Sequence, residues 1–344
     1  MKAGCYTALI TPFDQTGKVD QNGLEQLINF QIENNITGIV ATGTTGESPT
    51  LKWEEHEYVI EQVARLAKNK CLRIAGTGSN NTLEAIDAMG HAAKDDLDAI
   101  LMVDPYYNGP SSLEIRREYY EVAAQKFGST NIIPYIIPGR TGAQMLPQDL
   151  AILAKNHKNV TCVKEATGNL DNMRLTRKLC GAQFDIFSGD DSLVYTMMTD
   201  PDILACGSIS VMSNIAPKAF SKMVALLSQG DTQAALKLKT ALTPLFDLVV
   251  VTTTEECEFG PVACRARNPL PVKTIMQVLG MPSGPCRKPL GKMTPNGFKI
   301  VLDTLKKIWD ETPEILEPVA SFFNVDIEQQ LNDTELHKTL QYTY

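Results

Sequence analysis

The chain has 344 residues, of which 43% are hydrophobic and 21% are charged, a composition typical of a globular protein with a large apolar core. Its formal net charge of −8 argues against nucleic acid or an anionic membrane surface as the main partner. The sequence contains no apolar run of the roughly 18 residues that a membrane-spanning helix requires, so we expect no membrane partner.

Short apolar runs alternate with segments of helical periodicity along the first two thirds of the chain. Short runs rich in β-branched side chains predict strands, whereas apolar residues three and four positions apart predict helices. The strands are predicted at residues 5–10, 38–42, 72–75, 99–103, 132–137, 160–164, 185–188 and 203–206. The helices are predicted at residues 22–34, 53–68, 82–94, 112–127, 147–154, 169–179, 192–198 and 217–228.

This alternation predicts an α/β fold, a (β/α)8 TIM barrel, over residues 1–230. A doubly wound open sheet is the competing architecture, and it usually carries a glycine-rich nucleotide-binding loop after its first strand. Here the first strand runs instead into Thr11, Pro12 and Phe13. We therefore favour the barrel.

After residue 230 the alternation stops. Helices predicted at residues 231–251, 271–279 and 296–309 indicate a small C-terminal helical domain over residues 231–311. Residues 252–268, which mix cysteines with charged side chains, are predicted to form a loop. Residues 312–344 are predicted to be an extension of one or two short surface helices, to which the sequence assigns no role.

The cysteines and histidines predict neither disulfides nor a metal site. The 8 cysteines are scattered and the 4 histidines lie far apart. No CxxC pair or Cys/His cluster of the kind that binds zinc occurs in the sequence. The first residues enter a strand-like run without a secretory signal. We expect free thiols in a reducing cytoplasm.

Lys164 is the most informative residue, because it ends a short apolar run that reads as a buried strand. A free lysine has a pKa near 10.4, but burial disfavours the cation and lowers that pKa. A neutral amine at this position could attack a carbonyl and form a Schiff base. Alternatively, Lys164 only ends the strand, and its aliphatic chain extends far enough for the ammonium group to reach solvent.

Other residues that could supply polar side chains or backbone contacts follow the predicted strands, at the end where barrel enzymes build their active sites. Each has an ordinary alternative: packing for the tyrosines, a surface salt bridge for the arginine, and helix capping for the serine- and glycine-containing turns. Together they suit a Schiff-base reaction on a 2-oxo acid, with roles for proton transfer and carboxylate binding. They are Thr44 and Thr45 after strand 2, Tyr106 and Tyr107 after strand 4, Tyr135 and Arg140 at strand 5, Gly189 at strand 7 and Ile209 at strand 8.

Six short motifs, in their order and spacing, resemble the dihydrodipicolinate synthase / N-acetylneuraminate lyase family of class I aldolase barrels. The similarity covers about residues 3–308. It implies condensation of pyruvate with L-aspartate-4-semialdehyde in lysine and diaminopimelate biosynthesis, through a covalent imine and without another cofactor. The motifs are Gly43-Thr44-Thr45-Gly46-Glu47-Ser48, Pro105-Tyr106-Tyr107-Asn108, Tyr135-x-x-Pro138-x-Arg140-Thr141, Val163-Lys164-Glu165-Ala166-Thr167-Gly168, Ser188-Gly189-Asp190-Asp191 and Asn268-Pro269-x-Pro271-Val272-Lys273.

The resemblance also implies a role for each of these residues. Lys164 would carry the imine, and Tyr135 would be the general acid/base, linked to Thr44 and Tyr107 in a proton relay. Tyr107 would reach the site of a neighbouring subunit, which implies a dimer or a dimer of dimers. The substrates would be held by Thr45, Gly189 and the backbone near Ile209 for pyruvate, and by Arg140 for the semialdehyde.

The resemblance further implies inhibition by L-lysine at a separate site at the dimer interface. Glu84 could pair with the ammonium group of the inhibitor, and Tyr106 lies beside Tyr107. The alternative is that Glu84 is an ordinary acid in the first turn of a helix and that His56 only packs or caps. The implied residues are Ser48, Trp53, His56, Asn80, Glu84 and Tyr106.

Three other functions stay open at this point. The chain could be another aldolase of the family that acts on a sugar acid or a hydroxy-oxo acid, although Arg140 favours a short carboxylated aldehyde. It could be a regulatory barrel that has lost catalysis. A pyridoxal-phosphate barrel would need a phosphate cradle, for which Gly207 and Ser208 are the available candidates.

The sequence departs from the family at Ile136, where Asn or Asp is usual, in the longer segment 252–268, and in the extension 312–344.

Overall fold

The computed structural model describes residues 1–343, and eight parallel strands in it close into a barrel. Strand β1 pairs with β2 on one side, Tyr6 opposite Gly38, and with β8 on the other, Tyr6 opposite Ile209. The predicted barrel architecture is therefore confirmed. The strands are β1 (Gly4–Ala8), β2 (Gly38–Ala41), β3 (Leu72–Gly76), β4 (Ala99–Val103), β5 (Ile132–Ile136), β6 (Cys162–Glu165), β7 (Asp185–Ser188) and β8 (Gly207–Ser210).

Helices cover the outside of the barrel, and several begin at a side chain that caps them. Asp20, Asn81 and Asn169 each accept a hydrogen bond from a backbone N–H of the first turn that follows. A π-helical segment, Ile115–Tyr120, joins α4 to α5. The helices are α1 (Gln21–Glu33), α2 (Trp53–Leu66), α3 (Thr82–Ala92), α4 (Ser112–Glu114), α5 (Glu121–Lys126), α6 (Pro138–Thr141), α7 (Pro147–Asn156), α8 (Leu170–Cys180), α9 (Val194–Thr199) and α10 (Pro217–Ser228).

Two apolar layers result from this arrangement. The larger one fills the space between the strands and the helices, and the smaller one fills the interior of the barrel. In the interior the ring edge of Tyr6 meets the ring of Phe187, with centroids 5.4 Å apart. The barrel is thus packed from within, and the open ends of its strands are left to build a site.

The eighth strand was predicted four residues too early, at 203–206. Ile203 and Ala205 are buried, but they lie in the connection that returns from α9. The strand itself, β8, has the sequence Gly-Ser-Ile-Ser, which apolar periodicity cannot detect. Gly207 is required where β8 meets β1, because a Cβ there would collide with the carbonyl oxygen of Gly4.

The prediction of a loop over residues 252–268 is also wrong, because the segment forms an antiparallel hairpin. Strand β9 (Val250–Cys257) pairs with β10 (Gly260–Arg267), from Arg267 opposite Val250 to Gly260 opposite Cys257. Its β-branched run of valines and threonines favours a strand, but the charged residues that follow interrupt the apolar alternation by which a strand is recognised. Gly260 supplies the positive φ of the turn (106°). The C-terminal region is therefore helical except for this hairpin.

The remaining helices of the C-terminal region are α11 (Thr232–Asp247), α12 (Leu270–Val278) and α13 (Pro295–Glu311). Lys273 of α12 is fully buried and forms an ion pair with Glu47, which follows β2, at 2.7 Å. Its amine also donates to the backbone oxygens of Thr11 and Pro285. Removing one partner of such a buried pair is strongly destabilising, so this contact fixes the C-terminal region to the barrel.

The extension after residue 311 packs onto the barrel as well. It contains three short helices, where one or two were predicted: α14 (Glu317–Phe323), α15 (Ile327–Leu331) and α16 (Thr334–Thr339). Phe322 and Phe323 lie 5.2 and 5.1 Å from Phe30 of α1, measured between ring centroids. Within residues 1–343, no helix is both long enough and apolar enough to cross a membrane.

Candidate active site

Lys164 lies on β6, between two neighbouring strands of the barrel. Its backbone is opposite Tyr135 of β5 and Phe187 of β7. The side chain is 4% exposed, and its amine lies 4.1 Å from the centroid of the Tyr135 ring. The amine therefore does not reach solvent, in contrast to the alternative of an exposed lysine.

Burial lowers the pKa of Lys164 from 10.5 to about 7. The negative charge of Asp191 raises this pKa and so opposes burial, whereas the positive charge of Arg140 lowers it further. At such a pKa about half of the amines are neutral at pH 7, compared with less than roughly one in a thousand for a free lysine. Lys164 can therefore act as a nucleophile at neutral pH.

Asp191 is the carboxylate that limits this effect. It is buried, and it accepts hydrogen bonds from the backbone N–H groups of Val211 and Met212, the latter at 2.7 Å. Burial raises the pKa of Asp191 to about 6. Because these bonds join the Asp191 carboxylate, which follows β7, to the turn after β8, its charge is held at one position relative to Lys164.

Gly189 makes room for the catalytic candidate. A Cβ at this position would lie 2.8 Å from the side chain of Ala166 and 3.1 Å from Cε of Lys164. Any side chain here would have to displace one of them. The structure thus places Gly189 next to Lys164, while its predicted part in substrate binding stays a prediction. Ile209 is buried in β8, in the interior layer of the barrel.

Tyr135 is the phenol nearest to this amine. Burial raises the pKa of Tyr135, while Arg140 and Thr44 act in the opposite direction, so both of these residues lie close to its hydroxyl. A neutral phenol beside an amine that is about half neutral at pH 7 can donate a proton and accept one.

Tyr107 stands apart from this cluster in the single chain. Its side chain is 88% exposed and its backbone has φ of 80°, in the left-handed region. Its N–H donates to the carbonyl oxygen of Thr141, and within residues 1–343 its phenol forms no hydrogen bond with Thr44 or Tyr135. The structure therefore brings Thr44 and Tyr135 together and leaves Tyr107 pointing away.

Asn268 connects the two ends of the site and is a residue that sequence reasoning did not assign a role. Its Nδ2 donates to Oγ1 of Thr45 at 3.0 Å, and its backbone oxygen accepts a hydrogen bond from Arg140 at 2.8 Å. Its Oδ1 is buried and has no partner within residues 1–343. The only sequence signal was its position at the start of the Asn-Pro motif.

Arg140 lies at the mouth of the barrel, in α6. Burial lowers its pKa, and the nearby guanidinium groups of Arg267 and Arg265 lower it further. Within residues 1–343 these three arginines form no ion pair with a carboxylate, so the alternative of a surface salt bridge does not hold for Arg140 in this chain. Three uncompensated cations at one mouth favour an anionic ligand.

A cavity of about 220 Å³ opens between these elements. Its lining includes Tyr135, Arg140, Thr44, Ser48 and Tyr106. Lys164 does not line this cavity, but the ring of Tyr135, which does, lies 4.1 Å from the Lys164 amine. The cavity is of a size that suits a small ligand.

The residues implied for lysine binding are divided between this cavity and its surroundings. Tyr106 and Glu84 lie close together, since Glu84 contributes to the raised pKa of Tyr106 after burial, and Asn80 is nearby. Glu84 accepts a hydrogen bond from Ser79. His56 is different: it is buried, burial lowers its pKa to about 4, and its ring meets that of Trp53 edge-on with centroids 5.3 Å apart.

The sequence model that describes the dihydrodipicolinate synthetase family matches residues 1–308, which is most of the chain. The chain belongs to this family. A 4-hydroxy-tetrahydrodipicolinate synthase of Methanococcus vannielii is 39% identical over 290 residues, which are 84% of this chain and 93% of that protein.

Solved structures of the family agree with the fold. The 4-hydroxy-tetrahydrodipicolinate synthase of Methylacidiphilum fumariolicum SolV has a TM-score of 0.83 at 34% identity, covering 92% of this chain and 99% of that one. The family member from Cyanidioschyzon merolae, solved with lysine bound, has a TM-score of 0.80 at 32% identity, covering 89% and 98%. No group of three His, Cys, Asp or Glu side chains within residues 1–343 is arranged to hold a metal ion.

Proposed function

We propose that this protein is a 4-hydroxy-tetrahydrodipicolinate synthase, a lyase that condenses pyruvate with L-aspartate-4-semialdehyde in lysine and diaminopimelate biosynthesis. The observation that carries the proposal is the buried amine of Lys164, whose pKa is about 7, next to Tyr135 at the mouth of a barrel of this family. Relatives that carry this enzyme name support the choice of substrates.

The neutral amine of Lys164 attacks C2 of pyruvate, and loss of water gives the imine. Tyr135 gives a proton to the leaving hydroxyl group and later removes one from the methyl carbon, which yields an enamine. The enamine carbon forms a bond with the aldehyde carbon, whose oxygen takes up a proton. The amino group of the former semialdehyde then attacks the imine carbon, releases Lys164 and closes the ring. No cofactor is needed, because the imine itself stabilises the carbanion.

Two separate groups of residues hold the two carboxylates. Thr45, with the backbone near Gly189 and Ile209, holds the carboxylate of pyruvate, and Asn268 fixes the Thr45 hydroxyl through its 3.0 Å hydrogen bond. Arg140 binds the carboxylate of the semialdehyde. Thr44 relays protons between Tyr135 and solvent, together with Tyr107 of a neighbouring subunit.

The exposure of Tyr107 supports an oligomer. A phenol that is 88% exposed in the single chain, on a residue in the left-handed region, is suited to insert into another subunit. We expect a homodimer or a dimer of dimers in the cytoplasm. L-Lysine inhibits the enzyme from a site near Tyr106 and Glu84, and a relative solved with lysine bound supports the choice of this ligand. Ser48, Trp53, His56 and Asn80 belong to the same region.

Borohydride trapping with pyruvate, followed by mass analysis of the peptides, tests the imine. We expect one pyruvate-derived adduct on Lys164 and none on Lys273, which is equally buried but held by its ion pair with Glu47. The Lys164→Ala variant should form no adduct and should be almost inactive. An adduct on any other lysine, or none at all, would contradict the proposal.

Arg140→Ala tests the second substrate. The KM for L-aspartate-4-semialdehyde should rise by about tenfold or more, since a charge-assisted hydrogen bond is lost, while trapping of pyruvate stays intact. An unchanged KM and kcat would remove Arg140 from the carboxylate site and would favour an aldolase that acts on sugar acids.

A further inference from the structure

The hairpin formed by β9 and β10 delivers two more guanidinium groups to the mouth of the barrel. Arg265 and Arg267 are two residues apart on β10, so their side chains lie on the same face of the strand. Both contribute to the lowered pKa of Arg140, after burial, so both lie close to it. This part of the chain is longer than the family pattern, and the resemblance assigns it no role.

Arg140 and Arg267 are held side by side by reciprocal hydrogen bonds. Arg140 donates through Nη2 to the backbone oxygen of Asn268, the residue that follows Arg267, at 2.8 Å. Arg267 donates through Nη1 to the backbone oxygen of Gly139, the residue that precedes Arg140, at 3.0 Å. These bonds fix two positive charges next to each other. Within residues 1–343 no carboxylate forms an ion pair with either of them, and this arrangement costs free energy unless an anion binds between them.

The unused edge of Arg267 is the one suited to a carboxylate. The Nε–H and Nη2–H groups of a guanidinium point the same way and can bind both oxygens of one carboxylate. In Arg267 the Nε atom is buried and has no partner, and Nη2 forms no hydrogen bond within residues 1–343. Burial and the neighbouring Arg265 lower the pKa of Arg267, so its charge is poorly compensated by its surroundings.

We infer that Arg267 is a second substrate-binding arginine, and that it forms with Arg140 a paired site for the carboxylate of the aldehyde substrate. The inference rests on the proposed function and deepens it, because it makes the hairpin a specificity element of the active site. One guanidinium restrains each side of the carboxylate, so a carboxylated aldehyde is selected over an uncharged one. Arg265, one pleat further out and exposed, adds attraction without direct contact.

The test compares Arg267→Met with the parent enzyme, with Arg267→Lys and with Lys237→Gln, which removes an exposed positive charge from α11. For Arg267→Met we expect the KM for L-aspartate-4-semialdehyde to rise about tenfold, while kcat changes less than threefold. The preference for this substrate over propanal should fall by a similar factor. Arg267→Lys should lie between the two, and Lys237→Gln should match the parent.

A double-mutant cycle separates binding from support of Arg140. If Arg267 contacts the carboxylate, Arg267→Met should raise the KM further in an Arg140→Ala background. If it only holds Arg140 in place, the second substitution should have no effect there, and this result would overturn the inference. A KM for Arg267→Met within twofold of the parent would overturn it as well.

Trapping of pyruvate on Lys164 is measured in every variant and should be unchanged. A failure of trapping in the parent would count against the proposed function. Intact trapping with an unaltered aldehyde KM in Arg267→Met would count against the role of Arg267 alone.

Discussion

Replacement of Lys164 by methionine should stabilise the fold while it abolishes the reaction. The lysine is buried in its native position, and burial lowers its pKa from 10.5 to about 7. This difference corresponds to roughly 5 kcal/mol of free energy, an upper value, by which the native state is destabilised when the amine is protonated. Methionine has a similar length and carries no charge, so the variant loses this destabilisation.

The effect should depend on pH in a defined direction. Below about pH 7 the amine is protonated in both the native and the unfolded state, so the full cost of burying the cation is present. Between pH 7 and about 10.5 the unfolded chain keeps its proton and the native state does not. The stability of the parent therefore rises by about 1.4 kcal/mol per pH unit over this range. The advantage of Lys164→Met should be largest near pH 6 and should shrink towards pH 10.

Urea unfolding at pH 6, 8 and 10, followed by circular dichroism, measures this advantage at equal protein concentration. Lys273→Met is the matched control, because Lys273 is also buried but forms an ion pair with Glu47 at 2.7 Å. Its loss leaves the Glu47 carboxylate without a counter-charge and should destabilise the fold by about 3–5 kcal/mol. The reasoning fails if Lys164→Met is less stable than the parent at pH 6, or if its advantage is the same at pH 6 and pH 10.

Three further predictions concern the proton relay, the shared site and regulation. Tyr135→Phe should keep the fold and lower kcat by about 10²–10⁴-fold, and turnover within a few-fold of the parent would make Tyr135 structural. Mixing inactive Tyr107→Phe and Lys164→Ala subunits should restore activity in hybrid dimers, where one site then has both native groups; no recovery would contradict a shared site. Glu84→Thr should remain active but lose inhibition by L-lysine, and calorimetry that detects no binding of millimolar L-lysine to the parent would rule out the regulatory site.

The barrel was predictable because seven of its strands contain recognisable apolar runs that alternate with helical periodicity. The eighth was misplaced because Ile209 is its only apolar residue and the flanking positions are small and polar. Ser208 and Ser210 in β8 are buried, and the hydroxyl of Ser208 is hydrogen-bonded to the carbonyl oxygen of Ser188. Such a strand is identified by closure of the barrel with β1, a long-range contact that no local pattern encodes.

The central pair of the site was predictable for the same geometric reason. Lys164 and Tyr135 end two strands that are consecutive in the chain, and consecutive strands of a barrel are neighbours. Asn268 and Arg267 were not assigned, because their positions depend on how a distant hairpin folds back over the mouth. Charged residues on that hairpin resemble an ordinary solvated loop when only the sequence is considered.

The contacts of Asn268 and Lys273 make the C-terminal region part of the catalytic apparatus. One residue restrains Thr45 through its side chain and Arg140 through its backbone, and the other neutralises Glu47 in the same turn as Thr45. In a chimera between two members of the family, a junction near residue 230 would separate these pairs. The barrel of one parent would then be joined to the hairpin and helices of the other parent, whose contact residues match a different turn after β2. Exchanges of substrate specificity within the family should therefore transfer residues 43–48, 139–140 and 250–273 together.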